Sequence, residues 1–261
     1  MSSDWKGLFS DDGLAPSAQG ASSVGLGGTG WYGKLPAIGD FASRRLDDSF
    51  VRVWDDWLQR AVTASKSALH ETWLDVYLSS PVWNFAIFPN VLHADNAYAG
   101  CLMSSADRVG RYFPLTTCIE VSYPQVLADE LASGTPWYRG LNDIMVSALD
   151  PNTSVEEFDT RLTAHSLNDS GLATDGGYGM APALVAASGS SPAGGVAAEL
   201  SRLLPATQRA FLLQALNGKC LWWANIATAD GGSTTIYWVQ KGMLSPQHYT
   251  RLISSEAPST Y

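Results

Sequence analysis

The chain has 261 residues, of which 46% are apolar and 16% are charged, a composition typical of a folded globular protein. The 16 basic and 25 acidic residues give a formal net charge of −9, which disfavours nucleic acids and anionic membranes as partners, because both carry phosphate charge that a binding protein must neutralise. No apolar run approaches the roughly 20 residues that span a bilayer, and the N-terminus has no apolar signal segment, so a cytoplasmic protein without membrane insertion is predicted.

Residues 1–29 are predicted to form a flexible tail, because Gly and Ser dominate them and large apolar residues are few. A G-x-G-x-x-G pattern at 25–30 ends this tail and precedes a predicted strand. Dinucleotide binding requires the opposite context, with a strand before the glycines and a helix after them. The pattern is therefore interpreted as a linker, and residues 256–261 are predicted to form a second tail.

Ordered structure is predicted to begin with a short strand at 31–36, followed by a turn rich in Gly and Pro. A helix over about 48–69 follows, because apolar residues recur there at helical spacing and acidic residues stand where the helix begins. A second, short helix around Trp73 is predicted to end near Pro81, since the residue before proline avoids the helical region.

The residue pattern in the middle of the chain is typical of β-strands. The predicted strands are 82–88, 98–103 and 113–121. Their connections are about ten residues long, too short for most helical crossovers, so antiparallel pairing is predicted.

The rest of the chain is predicted to form four helices, a β-hairpin and a final helix. The predicted helices are 123–133, 136–149, 154–167 and 196–216, with a Gly-rich loop or insertion at 171–195; two strands at 220–226 and 234–239 and a final helix capped by Ser245 follow. Together these elements predict an α+β fold: a largely antiparallel sheet of about five strands with helices layered against it, in a single domain over 30–255.

The cysteines and histidines form no reactive or metal-binding pattern. The cysteines are odd in number and lack a C-x-x-C, and the four histidines are scattered; they are Cys101, Cys118, Cys220, His70, His93, His165 and His248. We therefore predict no disulfide, metal site, cofactor or catalytic centre, and a protein that is not an enzyme.

The segment 107–114 places one carboxylate and two guanidinium groups between two predicted strands. Arg108 and Arg111 could clamp an anion or a partner's carboxylate, because a guanidinium offers two parallel donors. The alternative is an internal salt bridge to Asp107 or Asp40 that fixes the loop.

A second segment, 33–41, combines Gly and Pro with the charges of Lys34 and Asp40. It resembles a phosphate-binding loop only in its Gly-Lys pair, because Leu35 stands where that motif needs Ser or Thr. It is interpreted as a rigid turn that positions the long helix.

The chain has ten tryptophans, and their spacing predicts that most lie in the core. Any exposed Trp would mark a contact surface, because Trp and Arg dominate binding hot spots.

Several short motifs occur along the chain in a distinctive order. They are Gly30-Trp31-Tyr32-Gly33-Lys34-Leu35-Pro36, Gly39-Asp40-Phe41, Trp54-Asp55-Asp56-Trp57-Leu58, Asp107-Arg108-Val109-Gly110-Arg111-Tyr112-Phe113-Pro114 and Leu221-Trp222-Trp223. In this order they resemble the TagF (ImpM) family of type VI secretion accessory proteins. The resemblance is strongest over 30–121 and looser over 220–253.

The resemblance implies a cytosolic regulator that represses assembly of the type VI secretion system after translation, by binding a component such as a forkhead-associated-domain protein. It supplies no catalytic residues. The surface predicted to bind the partner consists of Trp31, Lys34, Asp40, Phe41, Arg108, Arg111 and Tyr112. Two alternatives remain open: a phosphate-directed hydrolase or phosphatase using Asp40, Asp107 and Arg111, or a structural component of the secretion apparatus.

Overall fold

The computed structural model describes residues 28–132, 135–167, 207, 209–227 and 231–255. The N-terminal tail before residue 28, the Gly-rich segment 171–195 and the tail 256–261 lie outside the described residues. So does most of the helix predicted over 196–216, of which 207 and 209–216 are described and are helical.

Seven strands of the described residues form one sheet in which every neighbouring pair is antiparallel. They are β1 (Gly30–Lys34), β2 (Phe41–Arg44), β3 (Trp83–Ile87), β4 (Ala97–Met103), β5 (Leu115–Val121), β6 (Lys219–Ala227) and β7 (Ser233–Lys241). Their order across the sheet is β2-β1-β5-β4-β3-β6-β7. The predicted antiparallel pairing is confirmed, and the sheet has seven strands where about five were expected.

Among the strands, β2 is the one that the sequence did not predict. Its four residues are too few to display a clear alternation of apolar and polar side chains. It forms because the preceding turn brings the chain back alongside β1, where Arg44 lies opposite Trp31 and Phe41 lies opposite Lys34.

Helices cover both faces of the sheet. They are α1 (Asp48–Leu69), α2 (Trp73–Ser79), α3 (Pro124–Ala132), α4 (Pro136–Ser147), α5 (Val155–Ala164) and α6 (Pro246–Ile253). The bounds of α1 match the prediction, and Asp47 caps it by accepting a hydrogen bond from the Ser49 amide at 2.7 Å. The predicted cap of α6 is also present, since the Ser245 hydroxyl accepts from the His248 amide.

The sheet separates two apolar cores, because successive side chains of a strand point to opposite faces. One core lies against α1, α2 and α6 and includes Trp54 and Trp222. The other lies against α3, α4 and α5 and includes Trp31 and Trp137. All nine tryptophans of the described residues are at most 8% exposed, so the core prediction holds for them and none of them marks a contact surface.

Candidate functional site

The two segments predicted to bind a partner meet at one end of the sheet. One is the turn between β1 and β2, and the other is the loop between β4 and β5. The Arg108 amide donates a hydrogen bond to the Ile38 carbonyl oxygen at 3.0 Å, and the Arg111 guanidinium donates to the Gly39 carbonyl oxygen. Two stretches of sequence about 70 residues apart therefore form one continuous surface.

The buried carboxylate of Asp107 holds these two segments together. Its Oδ2 accepts from Lys34 Nζ at 2.9 Å and from Arg111 Nε at 2.6 Å, and its Oδ1 accepts from the amides of Arg111 and Val109 at 2.8 and 3.1 Å. The side chains of Lys34 and Asp107 are 6% and 0% exposed. Burial opposes ionisation, yet these donors hold the pKa of Asp107 well below its usual value.

For Arg111 this geometry supports the internal salt bridge that the sequence left open. It also argues against a role for Asp107 in phosphate chemistry, because both oxygens of Asp107 already accept hydrogen bonds. Asp40 is exposed, and its carboxylate accepts a hydrogen bond from the Phe41 amide at 2.8 Å.

Arg108 differs from its neighbour Arg111. Its side chain is exposed and has no hydrogen bond or ion pair within the part of the chain that the structure describes. Its backbone, however, is fixed by the hydrogen bond to Ile38. A fixed backbone with a free guanidinium can offer two donors to a carboxylate or another anion of a binding partner.

The same two segments carry exposed apolar side chains. Phe41 is 45% exposed, and its ring makes a T-shaped contact with Phe113, with 4.8 Å between the ring centroids. Lys34 Nζ lies 4.8 Å from the centre of the Phe41 ring. Val109 is 66% exposed and was not among the predicted contact residues, although an apolar residue between a charged residue and a turn glycine could have drawn attention to it.

We use the name two-loop surface for the exposed residues Asp40, Phe41, Arg108, Val109 and Arg111. Three predicted contact residues lie elsewhere, and two of them need correction. Trp31 is 0% exposed and Lys34 is 5% exposed, so both support the surface from within and cannot touch a partner in this conformation. Tyr112 is half-buried against Trp73 and Tyr77 of α2.

A second charged cluster ties the first strands to α5. Asp159 accepts hydrogen bonds from Trp31 Nε1 at 2.8 Å, from Arg44 at 3.1 Å and from Arg45 at 2.7 Å. The hydrogen bond from Arg45 is the main cause that lowers the pKa of Asp159 well below its usual value, and Trp31 and Arg44 add to it while burial opposes it. The cluster therefore stabilises the folded state most when Asp159 is ionised.

We expect this contribution to be lost in acid. The folded state keeps Asp159 ionised at a pH where the unfolded chain binds a proton, so stability is fully present at neutral pH and begins to fall near the ordinary carboxyl pKa of 3.8. We expect the free energy of unfolding, measured with urea from neutral to acid pH, to fall less for Asp159→Asn than for the unmodified chain. Asp56→Asn, at a carboxylate that is 67% exposed, should keep the original slope. Equal slopes for the Asp159 variant and the unmodified chain would contradict the assignment.

Two further observations concern membrane spans and metal ligands. None of the described helices is long and apolar enough to cross a membrane. Within the described ranges, no three His, Cys, Asp or Glu side chains are grouped so that they could hold a metal ion.

The fold and the sequence together define the class of protein. The family model described as "TagF N-terminal domain, Type VI secretion system-associated" matches residues 30–165, just over half of the chain. The chain is thus a type VI secretion system-associated protein, and it belongs to the TagF family. The family predicted from the motifs is confirmed, and the matched segment runs from the start of β1 to the residue after α5, the two elements that Asp159 joins.

One solved structure is similar to most of the chain. The crystal structure of PA0076 from Pseudomonas aeruginosa PAO1 is similar to this chain, with a TM-score of 0.64 and 29% sequence identity. The similarity covers 89% of this chain and 97% of that one, so it extends beyond the residues that the family model matches. No curated protein matches the chain.

Proposed function

We propose that this chain is a regulatory accessory protein of the type VI secretion system that acts by binding another protein through the two-loop surface. The proposed action is post-translational repression of assembly in the cytoplasm, with a forkhead-associated-domain protein as the partner. Membership of the TagF family supports the link to the secretion system. The observation that carries the binding role is the exposed guanidinium of Arg108, which has no partner within the described residues and stands on a fixed backbone.

The rigidity of the surface supports this proposal. Association is opposed by the entropy lost when loops and side chains become ordered, so a surface that is already fixed binds more tightly than a mobile one. Here the ion pairs of Asp107 fix one loop, and hydrogen bonds to Ile38 and Gly39 join it to the other. Arg and aromatic residues are also the side chains that most often dominate binding energy.

The test is a single substitution at Arg108. We expect Arg108→Ala to weaken capture of the partner from a host lysate by about tenfold or more, the loss typical of an anchoring arginine, while the melting temperature stays unchanged. Arg111 is a poorer choice for this test, because its guanidinium also pairs with Asp107 and its loss would disturb the loop.

Arg60→Ala is the matched control, since its guanidinium is also exposed but lies on α1. It should capture the partner as well as the unmodified chain does. Secretion of the tube protein should be measured in the same strains. Loss of a repressor raises secretion, whereas loss of a structural component abolishes it. Undiminished capture by Arg108→Ala would contradict the assigned surface.

A further inference from the structure

The strand β7 forms one edge of the sheet. Within the described residues it pairs with β6 alone, along all nine of its positions. The opposite side of β7 therefore presents a row of backbone N–H and C=O groups that another strand can pair with.

The two edges of the sheet differ in how they resist such pairing. At the other edge, β2 has only four residues and ends at Arg44, which is held by Asp159. Arg45 follows with a φ of 56°, a left-handed conformation that turns the chain away from the sheet. Short length and charge are common devices that protect an edge strand.

The strand β7 is nine residues long, and its one charged residue, Lys241, stands at its end. Residues 233–240 read Ser-Thr-Thr-Ile-Tyr-Trp-Val-Gln, without charge or proline and rich in side chains that favour strands. Tyr237 and Val239 are 63% and 50% exposed on one face of the strand. Such an edge is a template for the addition of a strand.

We infer that β7 pairs antiparallel with β7 of a second copy of this chain, about a two-fold axis at Tyr237. Tyr237 is the midpoint of the strand, so this register pairs all nine residues of both copies. It places Thr235 opposite Val239, and it places Lys241 opposite Ser233, so no two like charges face each other. A chain with a net charge of −9 repels its copies in general, and this nearly uncharged edge is a place where two copies can approach.

This pairing is independent of the proposed function. In the strand order, β1 and β2 stand at one side of the sheet and β7 stands at the other. A dimer formed through β7 leaves the two-loop surface of each copy away from the paired edge, because β6 and β3 stand between β7 and the strands β4 and β5. The dimer would present two binding surfaces to the secretion apparatus.

A cysteine at the axis tests the register directly. All three native cysteines are buried, so Tyr237→Cys adds a single exposed thiol to them. Paired residues of antiparallel strands have Cα atoms about 4.5–5.5 Å apart, within the range that a disulfide bridges. Mild oxidation of the full chain should convert Tyr237→Cys into a disulfide-linked dimer. Val53→Cys, at a position on α1 that is 56% exposed, should stay unlinked.

The oligomeric state supplies the second measurement. Light scattering should give a dimer for the unmodified chain and a monomer for the double variant Tyr237→Lys/Val239→Lys at the same concentration, with an unchanged melting temperature because both side chains are exposed. A monomeric unmodified chain would overturn the inference, and this is the result expected if a different protein or another part of the chain covers β7. A dimer that persists in the double variant, or that does not link through position 237, would overturn it as well.

Discussion

Replacing Lys34 with methionine lowers the free energy of unfolding by about 3 kcal/mol, a loss typical of breaking a buried ion pair from one side. Methionine keeps most of the volume of the lysine chain, so the loss reflects the missing charge and hydrogen bond rather than a cavity. The loss stays at the low end of the usual range because Arg111 still pairs with the same carboxylate. Urea unfolding of the purified chain measures it.

Lys66→Met is the matched control, because Lys66 is exposed and its ammonium lies 4.5 Å from the centre of the Trp73 ring. This substitution should lower the free energy of unfolding by less than about 1 kcal/mol. A double-mutant cycle with Asp107→Asn adds a sharper criterion. Once the carboxylate is uncharged, the Lys34 substitution should have a clearly different effect from the one it has alone. Additive effects would mean that the pair does not hold the two loops together.

Much of the fold could be predicted from local patterns. The helix α1 was placed with its observed bounds because large apolar residues such as Phe50, Trp54 and Trp57 recur on one face and Asp47 stands at its start. The strands β3, β4 and β5 were recognised because each is a run of apolar and β-branched residues that ends at a turn. In each case the signal lies within a few residues of the element itself.

The candidate site could be predicted only in part, because its decisive contacts are not local. The charges of Lys34 and Asp107 were both noticed, but their pairing depends on β1 lying next to β5, which no short pattern reveals. The burial of Trp31 was missed for a similar reason. Alternation places Trp31 and Tyr32 on opposite faces of the sheet, and both are buried because helices cover both faces.

Replacing Trp222 with alanine lowers the free energy of unfolding by about 4 kcal/mol, within the range for removing a large buried aromatic side chain. Trp222 is 0% exposed, and its ring centroid lies 6.2 Å from that of Trp54 and 5.1 Å from that of Phe85. Trp222 belongs to β6, beyond the residues that the family model matches, whereas Trp54 and Phe85 lie within them. We therefore propose that the matched segment and the C-terminal strands unfold as one cooperative unit.

The native cysteines can report on this proposal, since Cys101 lies on β4 and Cys220 lies on β6 and both are fully buried. Their reactivity towards a thiol reagent, followed by mass spectrometry as denaturant is added, should rise in one shared transition. Trp222→Ala should move both transitions by the same amount, while Val53→Ala at an exposed position moves neither by more than about 0.5 kcal/mol. If Cys220 reacts at lower denaturant than Cys101, or if Trp222→Ala shifts Cys220 alone, the C-terminal strands unfold separately from the rest of the sheet. If both cysteines instead react in one shared transition, the two-loop surface is folded only while the whole sheet is folded. A substitution at Trp222 then destabilises that surface too, although the two are far apart in the sequence.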